Sequence, residues 1–285
     1  MIQPVQSNEA LLRDIQASNR NDGAFRLWWL GQSGFLLQWN GTHVLLDPYL
    51  SDSLTKKYGQ TDKPHVRMTA LVVDPARLSF VDIVASTHNH TDHLDAETLC
   101  PILDRNPTVK LVIPEANRAF VAERLRIAPS KPIGLDDGGS VEICGMRFFG
   151  IASAHESLDR DEKGRAKYLG YVLQFGSWSI YHSGDTIRYE QMAEKLTSFQ
   201  IDVALLPING RAAERRVPGN LFGQEAAQLA KDIRAKLVIP CHYQMFEFNS
   251  ASPREFGEKC QTLDQPFELL RCGEKWQSQR VEPGG

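Results

Sequence analysis

Apolar runs alternate with short turn-forming stretches along most of the chain, and their lengths separate strands from helices. Residues 25–30 (FRLWWL) and 35–39 read as strands joined by a turn or bulge at Gly31-Gln32-Ser33-Gly34. Asn40-Gly41 is a hairpin turn into a third strand, 43–46, which Asp47-Pro48 stops. The opening is therefore antiparallel β. GQSG lacks the glycine spacing and the following helix of a dinucleotide site. Ahead of it, residues 8–19 place Leu11, Leu12 and Ile15 on one face of a short helix, polar enough to be a peripheral flap.

Residues 51–79 form a long polar connection holding Lys56, Lys57, His65 and Arg67. Connections of this length serve as lids or binding loops, or are solvated insertions. Residues 80–85 then read as a buried strand. Further on, the pattern predicts helices over 95–103 and 114–126, the second with Ala116 and Phe120 at i,i+4. Strands are expected at 109–113, 140–144, 146–151, 168–175 and 178–182, with a charged loop over 156–167. The rest alternates: helix 191–196, strand 203–206, helix 223–233, strand 237–239, a helix opened by the Ser252–Glu255 capping box, and a β piece at 267–270. Mixed β followed by helices, twice over, predicts an α/β protein with two packed sheets and helices outside, a four-layer αββα sandwich. The expected organisation is a helical extension (1–21), one hydrolase domain (22–274) and a flexible tail (275–285).

Composition narrows the function classes. With 285 residues and 42% apolar content the chain can bury a substantial core. A net charge of −3 gives no basic surface for nucleic acid or a membrane. The five cysteines are scattered without a CxxC pair, which favours a reducing compartment. No basic-then-apolar leader and no membrane-length apolar run occur, so a cytoplasmic protein is expected.

The chemistry concentrates in residues 85–97, ASTHNHTDHLDAE. His88, His90, Asp92 and His93 lie within six residues, just past the end of a predicted buried strand. Imidazole and carboxylate are standard ligands of zinc and related ions, and strand ends are where open sheets place ligands. A lone histidine is ordinarily structural, but no packing argument needs three and an aspartate here. His155, His182, Asp185 and His242 repeat the pattern of strand, stop, ligand. The inventory suits two ions: His88, His90 and His155 on one, Asp92, His93 and His242 on the other, and Asp185 bridging. The bland alternatives are an exposed His155, an Asp185 serving as a helix cap, and a His242 spent in a turn. His182 is surplus to the ligand count. It is read either as orienting Asp185 or as reaching substrate as an acid, with a structural histidine as the alternative.

At these residues the chain resembles the metallo-β-lactamase superfamily. His88-Asn89-His90-Thr91-Asp92-His93 matches its HxHxDH signature, and His155, Asp185 and His242 follow in the expected order. Trp28-Trp29-Leu30-Gly31, residues 67–93, Tyr181-His182-Ser183-Gly184-Asp185 and Ile239-Pro240-Cys241-His242 are similar to the bacterial L-ascorbate-6-phosphate lactonase group and its relatives. The resemblance covers roughly residues 22–260. It implies the αββα fold, two divalent ions (manganese or zinc), a cytoplasmic location and frequent homo-oligomers. The loop after His155 is shorter than in that group, and Asn209 to Asn220 has its own charge pattern.

The reaction expected is opening of a lactone by a hydroxide held on the ions, on a small anionic substrate such as a phosphorylated sugar acid. Asp92 or a metal-bound water would manage the proton passed to the leaving oxygen. Arg67, Lys167, Arg211 and Tyr243 are candidates for holding a phosphate or carboxylate, with ordinary charged surface as the alternative. The same two ions could instead cleave cyclic nucleotides or small phosphodiesters. A non-enzymatic metal-stabilised scaffold is the third reading, disfavoured because all seven ligands are present.

Overall fold

In the computed structural model, which describes residues 1–279, nearly every strand position is buried, and the two-residue period of a strand explains why. In β1 (Phe25–Gly31), Phe25, Leu27 and Trp29 face a core shared by two sheets, while Trp28 and Leu30 face a core under helices. Strands covered on both sides read as continuous apolar runs. The other strands are β2 (Gly34–Trp39), β3 (Thr42–Leu46), β4 (Ile83–Ala85), β5 (Lys110–Pro114), β6 (Ile133–Leu135) and β7 (Ser140–Ile143). They continue as β8 (Met146–Ala152), β9 (Leu169–Phe175), β10 (Trp178–His182), β11 (Val203–Pro207), β12 (Leu237–Cys241) and β13 (Lys275–Gln277). One sheet runs β13-β1-β2-β3-β4-β5-β6 and the other β12-β11-β10-β9-β8-β7.

The sandwich is the four-layer αββα arrangement expected. Helices α1 (Asn8–Ala17), α3 (Ala96–Arg105) and α4 (Arg118–Leu125) cover the first sheet through Leu11, Ile15, Leu99, Ile102, Val121 and Leu125. Helices α5 (Met192–Thr197), α6 (Gly223–Asp232) and α7 (Arg254–Thr262) cover the second through Leu196, Ala226, Ala230 and Phe256. The short α2 (Ser53–Tyr58) lies within the long connection instead, with Leu54 packed beside Tyr49 and Phe246. Strands β3 to β6 pair in parallel, as do β10 to β12, so their C-terminal ends share an edge. No helix among the described residues is long and apolar enough to cross a membrane.

Several elements differ from the sequence reading. Helix α1 is no loose flap: Leu11 and Ile15 are buried against the sheet, and the Trp28 indole donates to Asp14 at 2.8 Å. The strand expected over 80–85 is paired only at Ile83–Ala85. The helix expected from 114 begins at Arg118, after a 3-10 turn at Glu115–Asn117, and this turns Phe120 outward, 38% exposed. The Ser252 hydroxyl meets only the Arg254 N–H, at 3.3 Å, so no reciprocal capping box forms. Residues 267–270 contribute a single bridge, Phe267 to Val238. The closing strand is β13, inside the expected tail; residues 280–285 of that tail lie outside the described residues.

Candidate metal centre

The ligand candidates leave the sandwich at one edge. His88 to His93 follow β4, His155 follows β8, Asp185 follows β10 and His242 follows β12. The first loop is held from several sides. The His90 carbonyl accepts from the N–H groups of His93 (3.1 Å) and Leu94 (2.8 Å), and the Ser86 carbonyl accepts from the Tyr171 hydroxyl at 2.9 Å. Arg124 donates to the carbonyls of Asn89 (2.7 Å) and Leu94 (3.3 Å). The chain turns back sharply at His242, in the left-handed region with φ 60°, and its N–H donates to the Gln32 carbonyl at 2.9 Å.

Three overlapping groups result: His88, His90 and His155; His88, His93 and Asp185; Asp92, His93 and His242. Within each, the ligand atoms lie no more than 4.8 Å apart. Asp185 spans them, with its carboxylate 3.2 Å from His93 Nε2, 3.3 Å from His242 Nε2 and 3.7 Å from His155 Nε2.

Hydrogen bonds assign the ring protons. The Thr87 hydroxyl donates to Asp47 Oδ2 at 2.6 Å, so at 3.1 Å from His88 Nδ1 it accepts. Nδ1 of His93 donates to the same Asp47 oxygen at 2.7 Å, and Nδ1 of His155 to the Gly219 carbonyl at 3.0 Å. All three rings therefore carry a proton on Nδ1 and turn Nε2 inward, the arrangement by which outer partners orient metal-binding histidines. His88 Nε2, His93 Nε2 and Asp185 Oδ1 are buried without a hydrogen-bond partner; the 3.2 Å approach of the last two lacks hydrogen-bond alignment. Orphaned buried groups of this kind are costly. Inward imidazole nitrogens and carboxylate oxygens, converging and without hydrogen-bond partners, are a donor set that fits one or more divalent ions.

Charge divides the histidines. Burial pushes His88 and His155 down and His90 to about 4. Burial also opposes charge on His93 and His242, but carboxylates outweigh it. Asp185, Asp47 and Asp92 raise His93, and Asp185 and Asp92 raise His242 to about 9. In turn, burial raises Asp185, and the neighbouring His242 and His93 outweigh it and hold the carboxyl well below its usual range.

A pH prediction follows. At pH 7 the metal-free protein holds His93 and His242 protonated, and an ion must displace those protons. Loading is expected to release about two protons per molecule, with affinity rising toward pH 9. Both folded-state pKa values lie above the unfolded 6.5. The contribution of each to metal-free stability is thus complete below pH 6.5 and is lost as pH rises through its own raised pKa, about 9 for His242. Calorimetric titration in buffers of different ionisation heat reads the proton count, and a value of zero at pH 7 would remove these two rings from the ligand set.

The other sequence candidates sit elsewhere. His182 is 1% exposed, and both its ring nitrogens are spent on main chain: Nε2 donates to the Ser33 carbonyl at 2.8 Å and Nδ1 accepts from the Gly184 N–H at 3.1 Å. It shapes the turn before Asp185 and cannot reach substrate as an acid. Arg67 is a buried structural residue, bonded to Asp52 (2.6 Å), to the Ser51 carbonyl and to Met245 Sδ (3.0 Å). Arg211 is paired with Glu225 at 2.7 and 2.8 Å. Tyr243 stacks on Trp29 and donates to the Leu270 carbonyl at 2.7 Å. Lys167 is exposed and outside the cavity wall.

A cavity of about 540 Å³ opens onto the centre, reaching His90, Asp92, His155, Asp185 and His242. Its wall includes Arg124, Tyr168 and Phe248, none singled out from the sequence. His65, flagged in the long connection, lines it too, stacked on Tyr58 at 4.2 Å. Asp47 and Gln32 were also missed. Gln32 Nε2 donates to Asp92 Oδ2 at 2.7 Å and stands 3.1 Å from His242 Nε2. The signal for Asp47 was present, since it is an acid placed just past a buried strand, as Asp185 is.

A family model described as "Beta-lactamase superfamily domain" matches residues 26–242. The chain belongs to the metallo-β-lactamase superfamily. Among curated members of that superfamily it is similar to a UPF0173 metal-dependent hydrolase of Hyperthermus butylicus. The two are 31% identical, over 87% of this chain and 97% of the relative. Two solved structures share the superfamily fold. Igni18, a metallo hydrolase of Ignicoccus hospitalis, is 22% identical with a TM-score of 0.67, over 90% of this chain and 99% of that one. An isothiocyanate hydrolase from Delia radicum gut bacteria is 19% identical with a TM-score of 0.70, over 88% and 98%.

Proposed function

We propose that this superfamily member is a metal-dependent hydrolase that opens the ring of a lactone on a small organic anion. The observation that carries the hydrolase reading is the set of inward-turned imidazole nitrogens with Asp185 spanning the two ligand groups. His88, His90 and His155 would hold one divalent ion, Asp92, His93 and His242 a second, and Asp185 both, with manganese or zinc suited to the mixed donors. When bound, such a pair supplies an activated water near neutral pH and polarises the carbonyl under attack.

The chain's own residues do the rest. Asp47, Thr87 and the Gly219 carbonyl fix ring orientation so that Nε2 of His93, His88 and His155 faces inward. Asp92 is the ligand candidate with a side chain 17% exposed, and it lines the cavity. It is placed to receive a proton and pass it to the leaving oxygen. Gln32 holds the Asp92 carboxylate from behind through Oδ2. The lactone itself rests on the resemblance of Tyr181-His182-Ser183-Gly184-Asp185 and neighbouring stretches to the ascorbate-6-phosphate lactonase group.

The test is an initial-rate panel on manganese-loaded and zinc-loaded protein, covering sugar-phosphate lactones, plain lactones, cyclic phosphodiesters and isothiocyanates. A dominant rate on lactones is the expected result. A dominant phosphodiester or isothiocyanate rate would keep the hydrolase and replace the substrate.

A further inference from the structure

The cavity wall carries a guanidinium with three of its five N–H donors unused. Arg124 sits in the last turn of α4 and spends Nη1 on the Asn89 and Leu94 carbonyls. Its Nε and Nη2 meet no acceptor among the described residues. Those two atoms are the side-by-side pair that binds a carboxylate or phosphate in bidentate fashion. The plane of the group is fixed as well: its central carbon stands 4.3 Å from the centroid of Phe120, one helical turn earlier.

Other arginines near the site are already paired. Arg216, also on the wall, meets Asp62 at 2.9 Å, Arg211 meets Glu225 and Arg67 meets Asp52. Arg124 makes no ion pair with a carboxylate among the described residues. A half-buried, oriented and unpaired guanidinium, bonded to Asn89 between His88 and His90, is a costly feature unless an anion completes it. The remaining wall is strongly aromatic. Tyr58 stacks on His65 with centroids 4.2 Å apart, Phe248 meets His65 edge-on at 4.5 Å, and Tyr168 lies 5.9 Å from His90.

We infer that Arg124 is the anion grip of this site, and that the substrate is an organic oxyanion, a carboxylate or phosphate, carried on an apolar or aromatic body. The inference rests on the proposed hydrolase reading for the reaction, and on the cavity alone for the binding. It moves substrate selection away from Arg67, Lys167, Arg211 and Tyr243.

The test separates binding from turnover. Benzenesulfonate, a weak metal ligand, and methyl phenyl sulfone, its neutral counterpart, are titrated calorimetrically into metal-loaded protein. Wild type is expected to prefer the sulfonate about tenfold or more, and Arg124→Gln to lose that preference while keeping its metal content. Equal binding of the two probes by wild type, or an undiminished preference in Arg124→Gln, overturns the inference. If Arg124→Gln loses metal through its hold on Asn89, the exposed Phe120→Ala decides. A severalfold loss of sulfonate affinity supports the grip, and no change overturns it. Sulfonate preference without hydrolysis of any panel substrate would sink the hydrolase reading and leave the anion grip standing. Hydrolysis without that preference would do the reverse.

Discussion

Asp185→Asn is expected to lose bound metal and activity together, with the rate falling about a thousandfold or more. Asp185 is 4% exposed and faces rings of both ligand groups, so no single histidine substitution perturbs as much. Asparagine preserves its shape but offers one neutral oxygen where two charged ones were shared. A metal's contribution to transition-state charge is several kcal/mol, and each 1.36 kcal/mol is a factor of ten. The same change removes the carboxylate that chiefly holds His93 and His242 protonated, so fewer protons should leave on loading. Metal analysis and steady-state rates on one preparation read both effects. Full activity with two ions bound would take Asp185 out of the bridging role.

Asp47→Ala should damage the centre without touching an ion. The Asp47 side chain is fully buried and accepts three hydrogen bonds: from the Thr87 N–H (2.7 Å), the Thr87 hydroxyl (2.6 Å) and His93 Nδ1 (2.7 Å). Removing it leaves three buried donors unpaired and frees the His93 ring to turn. Breaking a buried charged pair costs about 3–5 kcal/mol. Loss of a histidine's outer partner lowers metal affinity about 10- to 100-fold. Urea unfolding of the metal-free protein isolates the first effect and competitive chelator titration the second. Stability within about 1 kcal/mol of wild type would show that Thr87 and His93 find other acceptors.

The two substitutions mark what was readable in the chain and what was not. The ligands were legible because their chemistry is rare, their spacing is local and each follows a strand end. His88 to His93 need only one loop to meet. The sandwich was legible for a related reason, since strands buried on both faces leave unbroken apolar runs. Asp47 carried the same positional signal as Asp185 but read as a strand stop. Its role depends on β3 lying parallel beside β4, with Leu46 opposite Ala85, which places it against Thr87. The substrate residues failed for a physical reason. Whether an arginine is available depends on which carboxylate reaches it after folding. Arg67 is taken by Asp52 and by Met245, 178 positions away, whereas Arg124 is left with a free face. Helix α4 shows the same limit: its apolar spacing suggested a start near 114, and the turn at Glu115–Asn117 rotated Phe120 out of the core.

The pairing of β1 with β13 bears on how the protein is made. The Phe25 N–H donates to the Ser278 hydroxyl oxygen, and the Phe25 carbonyl accepts from the Ser278 N–H, across 253 positions of chain. A ribosome delivers β1 well before its outer neighbour, with strands β2 to β12 made in between. Throughout elongation the edge formed by Arg26, Leu27 and Trp28 therefore stands open, in one of the most apolar stretches of the molecule. Open apolar edges recruit foreign strands, and distant pairings form slowly. The nascent chain is thus vulnerable to aggregation at this edge before residues 275–277 emerge, and slowed translation of the stretch just ahead of them should lower soluble yield even though the finished fold is unchanged.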